Sequence, residues 1–368
     1  MLTVKELFMA SGKWPATLLL GALLVGCSGG GTDNILCGGD CNPGDDPQTT
    51  AGGVLGPSDT PPAGIAAADK FSLSVSDFAP ADAFDTDGIA VTFTVIVSDQ
   101  FGNPVDDGSN VNFVSPESGQ IEAKCALAAG TCSVTWVSSD PRPADGRVSI
   151  LAYILRGSEE FGDKNGNFVF DVADGNDFVD LGEACLDENE NGICEPSLNE
   201  FFVDANTNGI LDGGDGVWNG PCFSDYVNAA VCNTPESTVV AESTVITLST
   251  NTVVVQSLGN FPAVGSIIDL NDLAVHAFDG IILSDSNGNA LPTGTTIVWD
   301  TGLTVDAFEF VSSANNIPLN KFGPTGPFGV AIQTNSVATP GTGTLRLLVT
   351  LPDGTEFILQ WKTDDSMV

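Results

Sequence analysis

Apolar and polar residues alternate with a period of two along most of this chain. Residues 71–76 read FSLSVS, residues 89–98 read IAVTFTVIVS, and similar runs return after residue 237. Gly, Pro, Asn and Asp bound these runs, which is typical of antiparallel strands joined by turns. No stretch beyond the N-terminal segment shows an apolar stripe with a 3.6-residue period. The pattern therefore predicts an all-β protein built from β-sandwiches.

An internal repeat indicates that there are two such sandwiches. Residues 98–113, SDQFGNPVDDGSNVNF, align without gaps on residues 284–299, SDSNGNALPTGTTIVW. Both copies contain a Ser-Asp pair, a Gly-Asn turn, a second turn at Gly108 or Gly294, and then a strand with one apolar row. This pattern predicts two related sandwich domains.

Composition divides the chain into five segments. We assign residues 1–26 to an export signal, 27–66 to a flexible Gly/Pro-rich tether, 67–157 to the first sandwich, 158–235 to an acidic insert, and 236–368 to the last strand of the first sandwich and the second sandwich. The tether has no apolar periodicity with which to build a core. The first sandwich offers about six strands before the insert, one short of the usual seven. We therefore expect residues 237–249 to supply its last strand, which makes the insert a long loop near one tip.

The first copy of the repeat carries a longer motif. From Asp99 it reads D-x-x-G-N-P-V-x-x-G-x-x-V-x-F, and Gly119, Gly130, Thr135, Ser138 and Gly146-Arg147-Val148 follow. Residues 70–157 resemble the invasin/intimin-type bacterial immunoglobulin-like domain, and the second copy resembles it less specifically. The resemblance implies two immunoglobulin-like β-sandwich domains that stack as a rod on a bacterial surface. That functional implication is an analogy, because a fold does not fix a function.

The N-terminus has the features of an export signal. Lys5 and Lys13 precede an apolar run at residues 16–26, which is too short to span a bilayer. The run ends in Leu-Val-Gly followed by Cys27, which resembles the bacterial lipobox. The resemblance implies cleavage before Cys27, acylation of its thiol and amine, and anchoring in the outer membrane, facing the cell surface or the periplasm. The alternative is an ordinary signal peptide with a chance cysteine.

The remaining cysteines fit an oxidising compartment. Removing Cys27 from the nine leaves eight, which fall in four close pairs. Local pairing is the simplest connectivity, although the sequence does not exclude the others. A zinc site is the alternative for the first pair, which lacks a second pair of ligands. The predicted disulfides join Cys37 to Cys41, Cys125 to Cys132, Cys185 to Cys194, and Cys222 to Cys232.

The charge balance restricts the partners. The chain has 48 Asp and Glu against 11 Lys and Arg, a net charge of −37. Such a chain repels phosphate backbones, so we expect no binding to nucleic acid. It also repels itself, which makes divalent cations natural partners.

Three acidic loops in the insert share one frame. They begin at Asp163, Asp187 and Asp204, and each places Asp, Asn, Asn at positions 1, 3 and 5 and Asp or Glu at position 9. The frame resembles the EF-hand-like calcium loop, in which alternate side-chain oxygens converge on Ca²⁺. The ligands that this resemblance implies are Asp163, Asn165, Asn167, Asp171 and Asp174 in loop one; Asp187, Asn189, Asn191 and Glu195 in loop two; and Asp204, Asn206, Asn208, Asp212 and Asp215 in loop three.

The loops also depart from that frame. Loop one has Phe168 where glycine is expected, and loop two has Leu198 at position 12, so that Glu195 or Glu200 must contribute instead. Other acidic residues, such as Asp180 and Glu183, could complete or bridge sites. The alternative is that Asp, Asn and Gly simply form solvated turns. The insert has few large apolar residues, so we expect metal rather than burial to order it, and loop three to stiffen the joint between the sandwiches.

The sequence offers little for catalysis. The single histidine, His276, lies in a strand-like stretch, and no nucleophile, phosphate-binding or zinc motif is present. We therefore expect a non-enzymatic protein: a lipid-anchored, calcium-stabilised rod or spacer, alone or in a self-assembled structure. The alternative is an adhesin or a module that binds a glycan or protein through loops at a sandwich tip. Trp218 and Tyr226 are candidate contacts if they are exposed and anchors if they are buried.

Overall fold

The computed structural model describes residues 64–166, 170–171, 173–175, 177–221, 238–270, 275–301, 308–314, 323–334 and 342–364. All of these residues belong to one unit, Gln48–Val368. Within these ranges no helix has the length and apolar character needed to cross a membrane. Several residues named above lie outside the described ranges: the export signal with Cys27, the tether up to residue 63 with Cys37 and Cys41, Asn167, Cys222, Tyr226 and Cys232.

Strands dominate the structure, and the predicted all-β class is confirmed. The described helices are two short 3₁₀ turns, Ala68–Lys70 and Pro196–Leu198. The strands are β1 (Ala66–Ala67), β2 (Phe71–Val75), β3 (Ala90–Val97), β4 (Asn110–Val114), β5 (Gln120–Ile121), β6 (Lys124–Ala126), β7 (Thr131–Val137), β8 (Arg147–Ser158), β9 (Glu160–Phe161), β10 (Phe178–Val179), β11 (Thr238–Thr247), β12 (Val254–Leu258), β13 (Ile267–Asp269), β14 (Val275–Ser284), β15 (Thr296–Thr301), β16 (Phe308–Ala314), β17 (Thr325–Thr334), β18 (Thr342–Thr350) and β19 (Glu356–Asp364).

The first sandwich packs two sheets around Trp136. One sheet has the order β2-β3-β7-β5, and the other has the order β1-β8-β4-β6 with β11 also paired to β8. Alternate residues of β3 point inward, so that Val91, Phe93 and Val95 are buried in the core. The Nε1–H group of Trp136 donates to the carbonyl oxygen of Ser118 at 3.0 Å, which satisfies its buried polar atom.

The second sandwich repeats this plan around two tryptophans. Its sheets have the orders β12-β14-β17-β16 and β13-β19-β18-β15. Trp299 and Trp361 lie in one core cluster, and Phe261 stacks on Trp299 with the ring centroids 5.5 Å apart. The Nε1–H group of Trp361 donates to the carbonyl oxygen of Pro262 at 2.9 Å.

The turns of the internal repeat have the same geometry in both sandwiches. Asp99 and Asp285 are fully buried. In each copy the Oδ1 atom accepts hydrogen bonds from the backbone N–H groups two and four residues later, at 2.8–2.9 Å. The backbone N–H of each aspartate donates to the carbonyl oxygen four residues later. In each domain one buried carboxylate therefore organises the turn that connects a strand of one sheet to a strand of the other.

The strand after the insert lies in the first sandwich. Strand β11 pairs antiparallel with β8, from Val240 opposite Ile154 to Thr247 opposite Arg147. The repeat makes β4, β8 and β11 equivalent to β15, β18 and β19. In the second sandwich a short turn joins the equivalent strands, β18 and β19. A hydrogen bond from the backbone N–H of Leu351 to the carbonyl oxygen of Thr355 closes this turn. The insert therefore occupies the place of a tight hairpin turn.

The two sandwiches contact each other directly. The backbone N–H of Thr293 donates to the carbonyl oxygen of Ala79 at 2.8 Å, and its hydroxyl donates to Asp77 at 2.6 Å. The side-chain amide of Asn289, next to the buried turn of the second sandwich, donates to the carbonyl oxygen of Asp145. Direct hydrogen bonds therefore fix the joint, beside the first residue of β8.

Candidate metal centre

The insert packs on the outer face of the first sandwich. It leaves β8 after Ser158, and the chain re-enters the sheet at β11. Leu186 and Val203 from the insert form a buried cluster with Leu151 of β8 and Val239 of β11. These β8 and β11 side chains point away from the main core, because their sequence neighbours fill it. The insert therefore covers a sheet face that would otherwise be exposed.

A second apolar cluster surrounds Trp218. Its indole is fully buried and stacks on Phe170 with the ring centroids 4.6 Å apart. Phe161 and Phe178 meet the indole edge to face, at 5.2 and 6.1 Å. Trp218 is therefore a buried anchor, and its use as a surface contact is excluded. The expectation that the insert lacks apolar burial was wrong, because few but large side chains concentrate in these two clusters.

Loop three brings its predicted residues together. Both carboxylate oxygens of Asp204 accept backbone N–H groups, from Asn208 at 3.0 Å and from Gly209 at 2.8 Å. The side-chain amides of Asn206 and Asn208 both donate to Oδ2 of Asp212, at 2.7 and 2.6 Å. Positions 1, 3, 5 and 9 therefore converge on one side of the loop.

Loop two has most of the same hydrogen bonds. Asp187 accepts the N–H groups of Asn191 at 3.2 Å and Gly192 at 2.6 Å. The side-chain amide of Asn191 donates to Glu195 at 2.7 Å, which repeats the link between positions 5 and 9. Asn189 accepts the N–H of Asn191 at 3.0 Å, just as position 3 accepts that of position 5 in loop three. The common bonds support the alignment of the two frames.

Loop one shares part of this arrangement. Asp163 accepts the N–H of Gly166 at 2.7 Å. The side-chain amide of Asn165 donates to Asp171 at 2.8 Å, which is the link between positions 3 and 9 seen in loop three. The predicted ligand Asn167 lies outside the described residues.

A further carboxylate clamps each loop. In every case it accepts the backbone N–H groups of position 9 and of position 2 or 3. The clamps are Asp174 in loop one, at 2.8 and 2.8 Å; Glu200 in loop two, at 2.7 and 3.5 Å; and Glu183 in loop three, at 3.2 and 2.8 Å. The sequence suggested Glu183 and Glu200 only as auxiliary residues, because they stand at different offsets from their loops.

Asp215 does not take the clamping position in loop three. Its Oδ1 atom accepts the backbone N–H of Val217 at 2.8 Å and the side-chain amide of Asn219 at 3.4 Å. Across the described residues, no three or more His, Cys, Asp and Glu side chains form a group that could hold a metal ion. The frames instead combine carboxylates with asparagine amides.

Glu159 closes the base of the insert, and sequence reasoning missed it. Its two carboxylate oxygens accept hydrogen bonds from the backbone N–H groups of Leu181 at 2.9 Å and Asn219 at 2.8 Å. These two bonds connect the start of the described insert to its middle and its end. Burial raises the pKa of this carboxyl group. Only the folded structure reveals this residue, because its partners are 22 and 60 positions away.

Two disulfides lie among the described residues, one in the insert and one in the first sandwich. Cys185 is bonded to Cys194 across loop two, and Cys125 is bonded to Cys132 between β6 and β7. Both are local pairs, as the cysteine spacing predicted.

The other two predicted disulfides have no structural counterpart among the described residues. Cys37 and Cys41 lie in the tether, and Cys222 and Cys232 lie at the end of the insert, in both cases outside the described ranges. The pairing of Cys37 with Cys41 and the pairing of Cys222 with Cys232 therefore stay predictions.

The expectation that loop three stiffens the joint was wrong. A cavity of about 880 Å³ separates loop three from Leu155 and Arg156, near the end of β8 that leads into the insert. The joint lies beside Arg147 at the opposite end of β8, about 28 Å from Leu155 and Arg156 at about 3.3 Å per residue. Loop two approaches the joint instead, because Glu190 forms a bidentate ion pair with Arg147.

Glu117 gives this region a pH dependence. Burial is the main cause that raises its pKa to about 7 from the ordinary 4.5. The negative charges of Glu188, Asp145 and Glu190 raise the pKa further, while the N–H of Ser149 donates to the carboxylate at 2.7 Å and lowers it. The folded state therefore binds this proton more tightly than the unfolded state, and stability falls as pH rises between about 4.5 and 7.

Replacing Glu117 with Gln is expected to raise the melting temperature at pH 8 and to change it little at pH 4.5, because the amide carries no charge to bury. Thermal unfolding of both proteins in chelator at the two pH values measures this difference. Glu122→Gln, an exposed residue of the same sandwich, is the control. An equal change at both pH values would contradict the prediction.

Comparisons with known proteins add limited information. No protein-family model and no curated protein matches the sequence. Similar solved structures include the adhesin InvE of Yersinia pseudotuberculosis, at 11% identity and a TM-score of 0.23, with 82% of this chain and 60% of that chain covered. The D0–D1 domain of intimin has 9% identity, a TM-score of 0.23 and coverages of 79% and 97%. The Escherichia coli adhesin FdeC has 9% identity, a TM-score of 0.25 and coverages of 80% and 65%. These low TM-scores carry no inference about fold or function.

Proposed function

We propose that this protein is a lipid-anchored, calcium-stabilised spacer of the bacterial cell envelope, without enzymatic activity. The lipobox-like sequence ending at Cys27 supports the anchor, and the hydrogen-bonded joint between two sandwiches supports the role of a stiff spacer. The observation that carries the proposal is the recurrence of one clamped frame in three acidic loops.

The donor set of these loops suits Ca²⁺. Each frame offers carboxylates at positions 1 and 9, amides at positions 3 and 5 and a clamping carboxylate; loop one's position 5 lies outside the described residues. Calcium prefers six to eight oxygen ligands, and it accepts flexible cages better than magnesium does. The amide oxygens of Asn206 and Asn208 each accept one backbone N–H group, from Asn208 and from Ile210, and each keeps a second lone pair for a cation.

Charge supports the same conclusion. Residues 163–215 contain 14 acidic side chains and one lysine. Three calcium ions would neutralise six of these negative charges and hold the loops in the folded conformation. The cluster of Leu186 and Val203 fixes the insert on the sheet, and the cluster around Trp218 packs parts of the insert against each other. The metal would fix the loops.

Native mass spectrometry of the full chain in detergent tests this proposal. We expect three calcium ions per chain, and two in the Asp204→Ala variant, because position 1 of loop three is lost. The control is Asp353→Ala, which removes an exposed turn aspartate of the second sandwich and should retain all three ions. An unchanged ion count in Asp204→Ala, or an equal loss in the control, would refute the assignment of loop three.

One observation favours a binding module as a second candidate. The cavity of about 880 Å³ between loop three and the sheet is lined by Arg156, Asn206, Asp212 and apolar side chains such as Leu155. Its size falls within the range of small-ligand sites. The guanidinium of Arg156, the carboxylate of Asp212 and the amide of Asn206 can bind the polar groups of a ligand. A glycan or a protein side chain would match this lining.

A further inference from the structure

Two exposed Asn-Gly pairs lie in the acidic loops. The chain contains five such pairs, and in Asn191-Gly192 of loop two and Asn208-Gly209 of loop three both residues are exposed. Both pairs occupy positions 5 and 6 of the common frame. A glycine has no Cβ atom to shield its backbone nitrogen, so that nitrogen can approach the side chain of the preceding asparagine closely. These two pairs therefore have the sequence and the exposure that spontaneous deamidation requires.

Deamidation is an intramolecular reaction between the two residues of such a pair. In loop three the backbone nitrogen of Gly209 would lose its proton and attack Cγ of Asn208. A C–N bond forms, the Cγ–Nδ2 bond breaks, and the leaving nitrogen takes up the proton and departs as ammonia. Water then opens the five-membered succinimide at either carbonyl, which gives aspartate or isoaspartate. Water is the sole co-reactant, and the proximity of the two groups replaces a catalyst.

The attacking nitrogen of loop three is held by a carboxylate. The N–H of Gly209 donates to Oδ2 of Asp204 at 2.8 Å, and this is the proton that the nitrogen must lose before it attacks. A carboxylate that accepts this N–H favours the protonated form, because its negative charge opposes a second negative charge beside it. The bond to Asp204 therefore suppresses formation of the nucleophile.

The side chain under attack is also restrained in loop three. The Oδ1 atom of Asn208 accepts the N–H of Ile210 at 2.7 Å, and its Nδ2 atom donates to Asp212 at 2.6 Å. Both polar atoms of the amide are thus bonded, which restricts its rotation toward a reactive orientation.

Loop two repeats all three bonds. The N–H of Gly192 donates to Oδ2 of Asp187 at 2.6 Å. The Oδ1 atom of Asn191 accepts the N–H of Ile193 at 2.8 Å, and its Nδ2 atom donates to Glu195 at 2.7 Å. The same protection therefore surrounds both exposed pairs.

We propose that Asn191 and Asn208 are sites of spontaneous deamidation that the position 1 aspartates, Asp187 and Asp204, keep unreactive by binding the N–H of the following glycine. Isoaspartate adds one carbon atom to the backbone between positions 5 and 6, so its formation would move the glycine out of register with the aspartate. The modification goes beyond the proposed spacer role, and it rests on these hydrogen bonds rather than on bound calcium.

Peptide mapping by mass spectrometry tests this proposal, with the full chain incubated in detergent at neutral pH and in excess calcium. We expect Asp204→Ala to deamidate at Asn208 about tenfold faster than the wild type, because a hydrogen bond to a charged group contributes about that factor or more. Asn191 should keep its wild-type rate in this variant. Asp187→Ala should show the reverse pattern, and there the Cys185–Cys194 disulfide still closes loop two.

Asp215→Ala is the matched control, because it removes an acidic side chain of the same loop that binds the N–H of Val217 and not that of Gly209. Its rate at Asn208 should equal that of the wild type. Adding Gly209→Ala to Asp204→Ala should slow the reaction again, because a Cβ atom shields the attacking nitrogen.

Three results would overturn the proposal. The first is an equal rate at Asn208 in the wild type and in Asp204→Ala, since the hydrogen bond would then protect nothing. The second is an equal acceleration in the Asp215→Ala control, which would assign the effect to loss of charge in general. The third is a rate that Gly209→Ala leaves unchanged, because the nitrogen of residue 209 would then not be the nucleophile. Failure of the chain to bind calcium would be seen in the ion count and would leave these expectations as they are.

Discussion

Removing calcium from the full chain is expected to open the three acidic loops while both sandwiches stay folded. Without metal, the carboxylates within each loop repel one another. Hydrogen bonds hold loop three closed, and loop two has the Cys185–Cys194 disulfide in addition to its hydrogen bonds. A ligand present at about 100 times its dissociation constant stabilises the folded state by about 2.7 kcal/mol for each site. The stabilisation from three sites together would exceed the free energy that holds most surface loops closed.

Hydrogen exchange with and without EGTA measures this effect region by region. We expect amides such as those of Asn208 and Gly209, which donate to Asp204, to lose protection in EGTA. Backbone amides in the strands around Trp361 serve as the internal control, and their protection from exchange should be the same with and without EGTA. Magnesium added in excess of EGTA should restore little protection. Loops that exchange equally with and without calcium would show that the carboxylates form solvated turns.

Much of the fold could be predicted because its signals are local. The period of two in β3 reports directly which side chains face the core, and the Gly-Asn turns mark where strands end. The repeat aligned Asp99 with Asp285, and the structure shows that both are buried and make the same hydrogen bonds. The missing strand was predictable from counting, and β11 lies where the first sandwich needs it.

The arrangement of the insert could not be predicted, because distant residues determine it. Glu183 reaches loop three from 22 and 29 positions away, so no spacing rule reveals it as the clamp. Leu186 and Val203 look like isolated apolar residues in an acidic segment, and only the outer face of β8 shows what they pack against. The same is true of Trp218, since its aromatic neighbours come from three separate stretches.

Replacing Trp218 with Ala is expected to have the largest effect of any single substitution in the insert. The indole is fully buried and contacts Phe161, Phe170 and Phe178, so its loss leaves a cavity that these rings cannot fill. Such truncations cost about 3–5 kcal/mol. Loop one should be destabilised more than the other loops, because Phe170 directly precedes Asp171, its position 9. Phe178 also lies in β10, which pairs with β9 just before this loop.

Limited proteolysis and hydrogen exchange of Trp218→Ala locate this loss. We expect early cleavage and faster exchange between residues 161 and 178, with the second sandwich unchanged. The matched substitution, Trp361→Ala, removes an equally buried indole from the second sandwich and should produce the opposite pattern. Trp218→Phe should recover part of the protection, because a smaller ring still fills some of the cavity. If Trp218→Ala instead destabilised both sandwiches as much as the insert, the aromatic cluster would be part of one cooperative core, and the insert could not respond to calcium as a separate unit.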